Sequence, residues 1–355
     1  MLFILSFNGM DCSFQKYSLL FRRPGGTSRG VLHTKDTYIV TMRKDGKIAL
    51  GECNLFKGLS YDDRPDYEDK LQEICRRIPE EGENLLSELS NWPSIRFGME
   101  MMLLDWQNDC KQEIFPQVIG DEGFSIPING LIWMGPHDYM MEQVTTKLSE
   151  GYTSIKLKVG AIDFQSELEL IRYIRREFSS DEVEIRLDAN GAFTPTEAKE
   201  KLDRLAKYGI HYIEQPIRAG QWQETARLVE DSPIKIALDE ELIGINTANR
   251  QRELIETIRP AILILKPALL GGFKACDDWT ALLEDIGGYR IITSALESNI
   301  GLNAIAQYAA LTASPHAYGL GTGMLYSNNF PSPYHVDAQG LHYRRDQTWD
   351  FSSLT

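Results

Sequence analysis

From residue 126 onward the sequence alternates short apolar runs with amphipathic helical stretches, and the runs number eight. They centre on residues 128–133, 154–159, 183–187, 211–213, 234–238, 261–265, 290–293 and 317–320. Strand and helix alternating at this pace imply parallel strands joined by helical crossovers, and eight such strands close into a barrel with the helices outside. The expected fold class is α/β, a modified TIM-type (β/α)7β barrel over residues 121–324.

The first 120 residues have another texture. Apolar runs at 15–21, 37–43 and 48–51 surround the turn Lys44-Asp45-Gly46-Lys47, and Asp-Gly between apolar runs marks a hairpin. Helical patterns follow over 67–77 and 93–108, the second carrying Ile95, Met99, Met102 and Trp106 on one face. Residues 1–120 are therefore expected to form an α+β capping domain. The apolar residues 1–7 lack a basic start and are too short for a signal core, so they read as a first strand. The basic, glycine-rich run Arg22-Arg23-Pro24-Gly25-Gly26-Thr27-Ser28-Arg29-Gly30 reads as a lid loop, about 22–33, with Arg29 facing an anionic ligand; a solvated hairpin loop is the alternative. The segment 325–355 holds no further βα unit, and Tyr334, Tyr343 and Trp349 are expected to pack it back on the capping domain.

A net charge of -14, with no Lys/Arg run long enough to override it locally, argues against nucleic acid or anionic membrane partners. The five cysteines are odd in number and never in a Cys-x-x-Cys pair, which suits a reducing cytoplasm. The six histidines show no metal-ligand spacing and receive no role. Homo-oligomerisation stays open.

Polar residues interrupt the apolar runs at one recurrent place, their carboxyl ends: Lys158, Asp188, Glu214, Asp239, Lys266 and Ser294, spaced 25 to 30 residues apart. Each strand-plus-helix repeat thus presents one polar group to the same mouth, where barrels place their chemistry. Three buried carboxylates would cost several kcal/mol unless they share a partner, and an all-oxygen set favours Mg²⁺, with Mn²⁺ also accommodated, over zinc. Asn190 and Glu240 are expected to support the three ligands.

Lys156 and Lys158 share one strand face, and Lys266 lies across the barrel. Such a site suits removal of a proton beside a carboxylate, because a divalent cation on the carboxylate oxygens stabilises the enediolate as it forms. A lysine base must be neutral, which asks for a shift of about 3 units, or about 4 kcal/mol, from neighbouring positive charge and burial. Ser298, in the stretch opening the next helix, serves either a substrate carboxylate or the helix N-cap. A barrel that had become a binding protein would have lost Lys158, Lys266 or one of the three carboxylates, and all five are present.

In Lys156-Leu157-Lys158, Asp188-Ala189-Asn190-Gly191, Ile213-Glu214-Gln215-Pro216, Ala237-Leu238-Asp239-Glu240 and Leu265-Lys266-Pro267 the chain resembles the enolase superfamily, in its muconate-lactonizing-enzyme-like branch. Within that branch, the stretches 127–133, 26–30 and 293–298 are most similar to the o-succinylbenzoate synthases. The resemblance implies Mg²⁺ held by Asp188, Glu214 and Asp239, Lys158 as base and Lys266 as electrostatic partner. It also implies dehydration of 2-succinyl-6-hydroxy-2,4-cyclohexadiene-1-carboxylate to o-succinylbenzoate in menaquinone biosynthesis. N-acylamino acid racemases and dipeptide epimerases of the same superfamily are the alternative. Gly321-Thr322-Gly323 stands where the epimerases carry Asp-x-Asp, a departure that counts against that activity.

Overall fold

The computed structural model describes residues 9–27, 30–312 and 314–354. Residues 1–7, read as a first strand, and Arg29 lie outside the described residues. The chain starts with an antiparallel sheet of β1 (Asp11–Thr27), β2 (Gly30–Lys44) and β3 (Lys47–Cys53), in that order. The Asp45-Gly46 turn joins β2 to β3, both residues at positive φ. Two helices, α1 (Tyr67–Glu81) and α2 (Pro93–Gln107), cover the sheet. Val40, Met42, Leu71, Ile74, Met99 and Met102 form their common core.

In its described residues, 22–27 and Gly30, the glycine-rich run is strand rather than loop. It continues the β1–β2 hairpin past a bulge between Leu20 and Gly25, with Gly26 paired to Val31. A Cβ on Gly26 would stand 2.1 Å from the Met134 carbonyl oxygen, so only glycine lets this hairpin end lie against the barrel.

After β4 (Phe124–Ile126), the barrel begins at β5 (Gly130–Ile132), followed by α3 (His137–Ser149), β6 (Ser154–Lys158), α4 (Phe164–Glu177) and β7 (Glu184–Asp188). It continues through α5 (Pro195–Leu205), β8 (Ile210–Glu214), α6 (Trp222–Asp231), β9 (Lys235–Leu238), α7 (Ala248–Ile258) and β10 (Ile262–Leu265). Then come the single turn α8 (Pro267–Leu270), α9 (Phe273–Glu284), β11 (Tyr289–Ile292) and α10 (Asn299–Ala310). Strands β5 to β11 pair in parallel in sequence order. The eighth run joins them through single bridges, Ile128 to Tyr318 on one side and Thr293 to Gly319 on the other, so the barrel's seam is thin there.

Local signals explain several elements. Thr194 and Glu197 form a reciprocal capping box ahead of Pro195 at the first turn of α5, and Asp163 caps α4. All four residues of β10 are buried, as expected of a parallel strand covered on both faces. The C-terminal hairpin of β12 (Tyr334–Asp337) and β13 (Gly340–Tyr343) pairs with β4, while Asn328 and Tyr326 contact β1. No helix among the described residues is long and apolar enough to cross a membrane.

Candidate active site

Register brings the polar groups together. Lys158 on β6 is the cross-strand partner of Asp188 on β7, and Asp188 is the partner of Glu214 on β8. Residues level with one another on adjacent parallel strands project to the same side, so all three meet at the carboxyl-terminal mouth. Asp239 and Lys266 follow the last residues of β9 and β10 and extend the ring. All five are largely or wholly buried.

Lysines and carboxylates interleave here. Lys158 Nζ donates to Asp188 Oδ2 and to Asn190 Oδ1, each at 2.8 Å. Lys156 Nζ donates to Glu214 Oε2 at 2.5 Å and lies 3.4 Å from Asp188 Oδ2, and Lys266 pairs with Asp239. Lys156, on the strand face it shares with Lys158, is thus engaged by Glu214. Burial works to raise the Asp188 pKa, but Lys158 and Lys156 prevail and hold it well below the usual carboxylate range. Burial, Asp188 and Asp239 push Glu214 up to about 8. Burial and Asp239 raise Glu240, which accepts from Asn190 Nδ2 at 3.0 Å, to about 7. Burial would lower Lys266, yet Asp239 and Glu214 outweigh it and raise its pKa.

The other Glu214 oxygen, Oε1, is buried without a hydrogen-bond partner. A buried carboxylate oxygen in that state, beside two more carboxylates, is what a hard divalent cation would satisfy, so the donor set fits Mg²⁺ or Mn²⁺.

The mouth opens into a cavity of about 810 Å³ lined by Lys156, Lys158, Asp188, Asn190, Glu240 and Lys266. Ser294 also lines it; its hydroxyl donates to Glu297 at 2.5 Å and accepts from Thr322. Apolar walls come from Phe21, Phe56, Trp133 and Leu296, and the exposed Arg22 and Arg23 of the hairpin reach the same space. Ser298 is not part of that lining. It is fully buried, caps α10 and donates to Glu52, so the cap reading describes it.

Sequence reasoning missed the groups behind the mouth. Glu52, from β3, accepts from Ser298 N and Oγ and from Gly301 N, tying the antiparallel sheet to α10. Gln215 Oε1 accepts from the backbone of Asp239 and Glu241, fixing the turn that carries Asp239. Asn190, Gln215 and Leu296, just beyond strand ends, hold positive φ values of 43°, 40° and 65°. Such backbone strain gathers at functional sites, and only the asparagine hinted at it in the sequence.

Residues 139–344 match the family described as Enolase C-terminal domain-like. The chain is 44% identical to an o-succinylbenzoate synthase from Desulfotalea psychrophila, over 93% of this chain and 98% of that protein. The crystal structure of MenC from the same organism superposes with a TM-score of 0.83 at 40% identity, covering 94% of this chain and all of the other. A dipeptide epimerase from Enterococcus faecalis, solved with Mg and a dipeptide, shares the fold at a TM-score of 0.82 and 17% identity over 95% and 97% of the two chains. By its barrel, and by a family match spanning more than half its length, this chain belongs to the enolase superfamily.

Proposed function

We propose that the chain is a hydro-lyase that dehydrates 2-succinyl-6-hydroxy-2,4-cyclohexadiene-1-carboxylate to o-succinylbenzoate, a step in menaquinone biosynthesis. The reaction class rests on one observation: Lys158 and Lys266 enter a single cavity beside a cluster of buried carboxylates. The substrate assignment draws on the near-full-length likeness to the Desulfotalea psychrophila enzyme.

Asp188, Glu214 and Asp239 would hold Mg²⁺ or Mn²⁺, which when bound offsets the charge that develops on the substrate's ring carboxylate. Lys158 takes the proton from the carbon bearing that carboxylate. The electron pair left behind expels the hydroxyl, which leaves as water with the proton Lys158 returns, and the ring becomes aromatic. One base on one face suffices for both transfers. Lys266 opposes the enediolate charge from the other side. Phe21, Phe56, Trp133 and Leu296 pack the ring and exclude water, while Arg22 and Arg23, at the cavity, meet the succinyl carboxylate, a role expected of Arg29, which lies outside the described residues.

The test is to incubate the purified protein and Mg²⁺ with the cyclohexadiene acid and follow the absorbance of the aromatic product, with N-succinylamino acids assayed in parallel by polarimetry. Metal-dependent aromatisation is expected. Racemisation with no aromatic product would overturn the assignment in favour of a racemase.

A further inference from the structure

At the end of the barrel opposite the mouth lies a second cluster of metal-ligating side chains. Glu184 is the first residue of β7, His211 the second of β8, and His316 precedes the eighth strand. One ligand atom from each comes within 4.8 Å of the other two. The histidines are 105 residues apart in sequence, which is why no spacing motif announced them.

His211 reaches this place through a register shift. Ile185 pairs with Ile210 but Arg186 pairs with Tyr212, so His211 is the extra residue of a bulge. Bulges re-aim side chains, and this one turns an imidazole towards Glu184 and His316. Its Nδ1 lies 2.8 Å from Glu184 Oε2, yet this buried nitrogen makes no aligned hydrogen bond. The opposite ring nitrogen, Nε2, is 3.0 Å from the Tyr289 hydroxyl. Glu184 Oε1 is held by Arg186 Nε at 2.6 Å and Ser154 Oγ at 3.2 Å, leaving Oε2 facing the imidazoles. Metal-bound histidines and carboxylates are oriented in this way, with the far atom fixed by a neighbour and the near atom aimed at the ion.

We propose that Glu184, His211 and His316 form a second metal site that takes one imidazole-preferring transition metal ion, Zn²⁺ being the representative. Two neutral imidazoles and a carboxylate shared with Arg186 offer about one negative charge, too little for Mg²⁺ but suited to nitrogen-ligated zinc with water in the fourth position. A tetrahedral ion with bonds of about 2.0–2.1 Å needs its ligand atoms roughly 3.3 Å apart, so binding would draw together atoms that now lie within 4.8 Å of one another. Arg186 donates to Glu184 Oε1 and to the Ala317 carbonyl, and Lys235 sits over the Tyr289 ring. The site would pin the segment before the eighth strand to β7 and β8, bracing the barrel where single bridges close it.

The experiment is zinc titration of the full chain against a competing chromophoric indicator, with millimolar Mg²⁺ present to occupy the mouth. One equivalent of Zn²⁺ binding at about micromolar Kd or tighter is expected, with a rise in thermal midpoint of about 3–4 °C at a hundredfold excess over Kd. His211→Gln and His316→Gln should each weaken binding by at least about 100-fold, and Tyr289→Phe by about 10-fold. His335→Gln, in the separate cluster with Asp337 and His342, should change nothing. Zinc uptake that survives both glutamine variants, or falls in His335→Gln, or is absent at 100-fold lower affinity than expected, overturns the site. A zinc-edge anomalous map of the wild-type protein does not depend on how the variants fold: a peak among Glu184, His211 and His316 supports the site, and zinc only elsewhere refutes it.

Discussion

Glu52→Gln probes how the antiparallel sheet is fastened over the barrel. Glu52 is wholly buried and accepts four hydrogen bonds: Thr37 Oγ1 at 2.8 Å and Ser298 N at 2.9 Å on Oε1, and Ser298 Oγ at 2.6 Å and Gly301 N at 2.8 Å on Oε2. Each oxygen faces one backbone N–H, so whichever end becomes the amide NH₂ meets a donor it cannot accept. The hydroxyls can rotate, but one backbone N–H stays buried and unsatisfied, a cost of about 1–3 kcal/mol. Loss of the negative charge at the N-terminus of α10 adds about 0.3–2 kcal/mol. The net destabilisation is about 1–5 kcal/mol, a sizeable part of a total of about 5–15 kcal/mol. Because Ser294 and Leu296 precede this helix and line the cavity, KM should rise several-fold while kcat stays within about threefold. Urea unfolding followed by tryptophan fluorescence, together with steady-state kinetics, reads both. The double variant with Ser298→Ala should lose less than the two single losses combined, since they share hydrogen bonds. A loss in Glu52→Gln below about 0.5 kcal/mol, or strict additivity, would refute the clamp.

Lys158→Ala removes the proposed base and should lower kcat by about 10³-fold or more, with Mg²⁺ affinity by calorimetry changed little, since no cation ligand is lost. Asp239→Asn removes a charged ligand and should weaken Mg²⁺ by at least about tenfold in the same titration. Asp105 is buried, and desolvation raises its pKa to about 6 although Leu50 N and Gln112 donate to it. Between pH 4 and 6 the folded state therefore holds a proton that the unfolded chain has released, and this group's contribution to stability falls as pH rises through that window. Asp105→Asn should remove that slope, so urea unfolding should find it more destabilising at pH 4.5 than at pH 7, by about 2 kcal/mol.

The barrel was legible because parallel strands buried on both faces must be continuously apolar, and the polar residue ending each run stood out by contrast. Register turned that list into a ring: Lys158, Asp188 and Glu214 are level partners on three adjacent strands. What escaped reading depends on contacts between distant segments. Glu52 looks like any charged residue ending a hairpin strand, and only the docking of α10 makes it a buried acceptor. His211 and His316 come together through a bulge and the barrel's closure, which no local spacing encodes. The lid-loop expectation over about 22–33 fails at 22–27: glycine and proline usually break strands, but pairing past a bulge offsets that tendency here. Ser298 satisfied two motifs at once, and burial favoured the cap.

The account turns on Asp188, Glu214 and Asp239 sharing one hard cation. A crystal soaked in Mn²⁺ and measured at the manganese edge tests this directly. One anomalous peak should appear within about 2.0–2.3 Å of an oxygen from each carboxylate, with Glu214 Oε1 engaged and Lys156 and Lys266 drawn off their present partners. Carboxylates still paired to those lysines, with manganese bound only elsewhere, would contradict it.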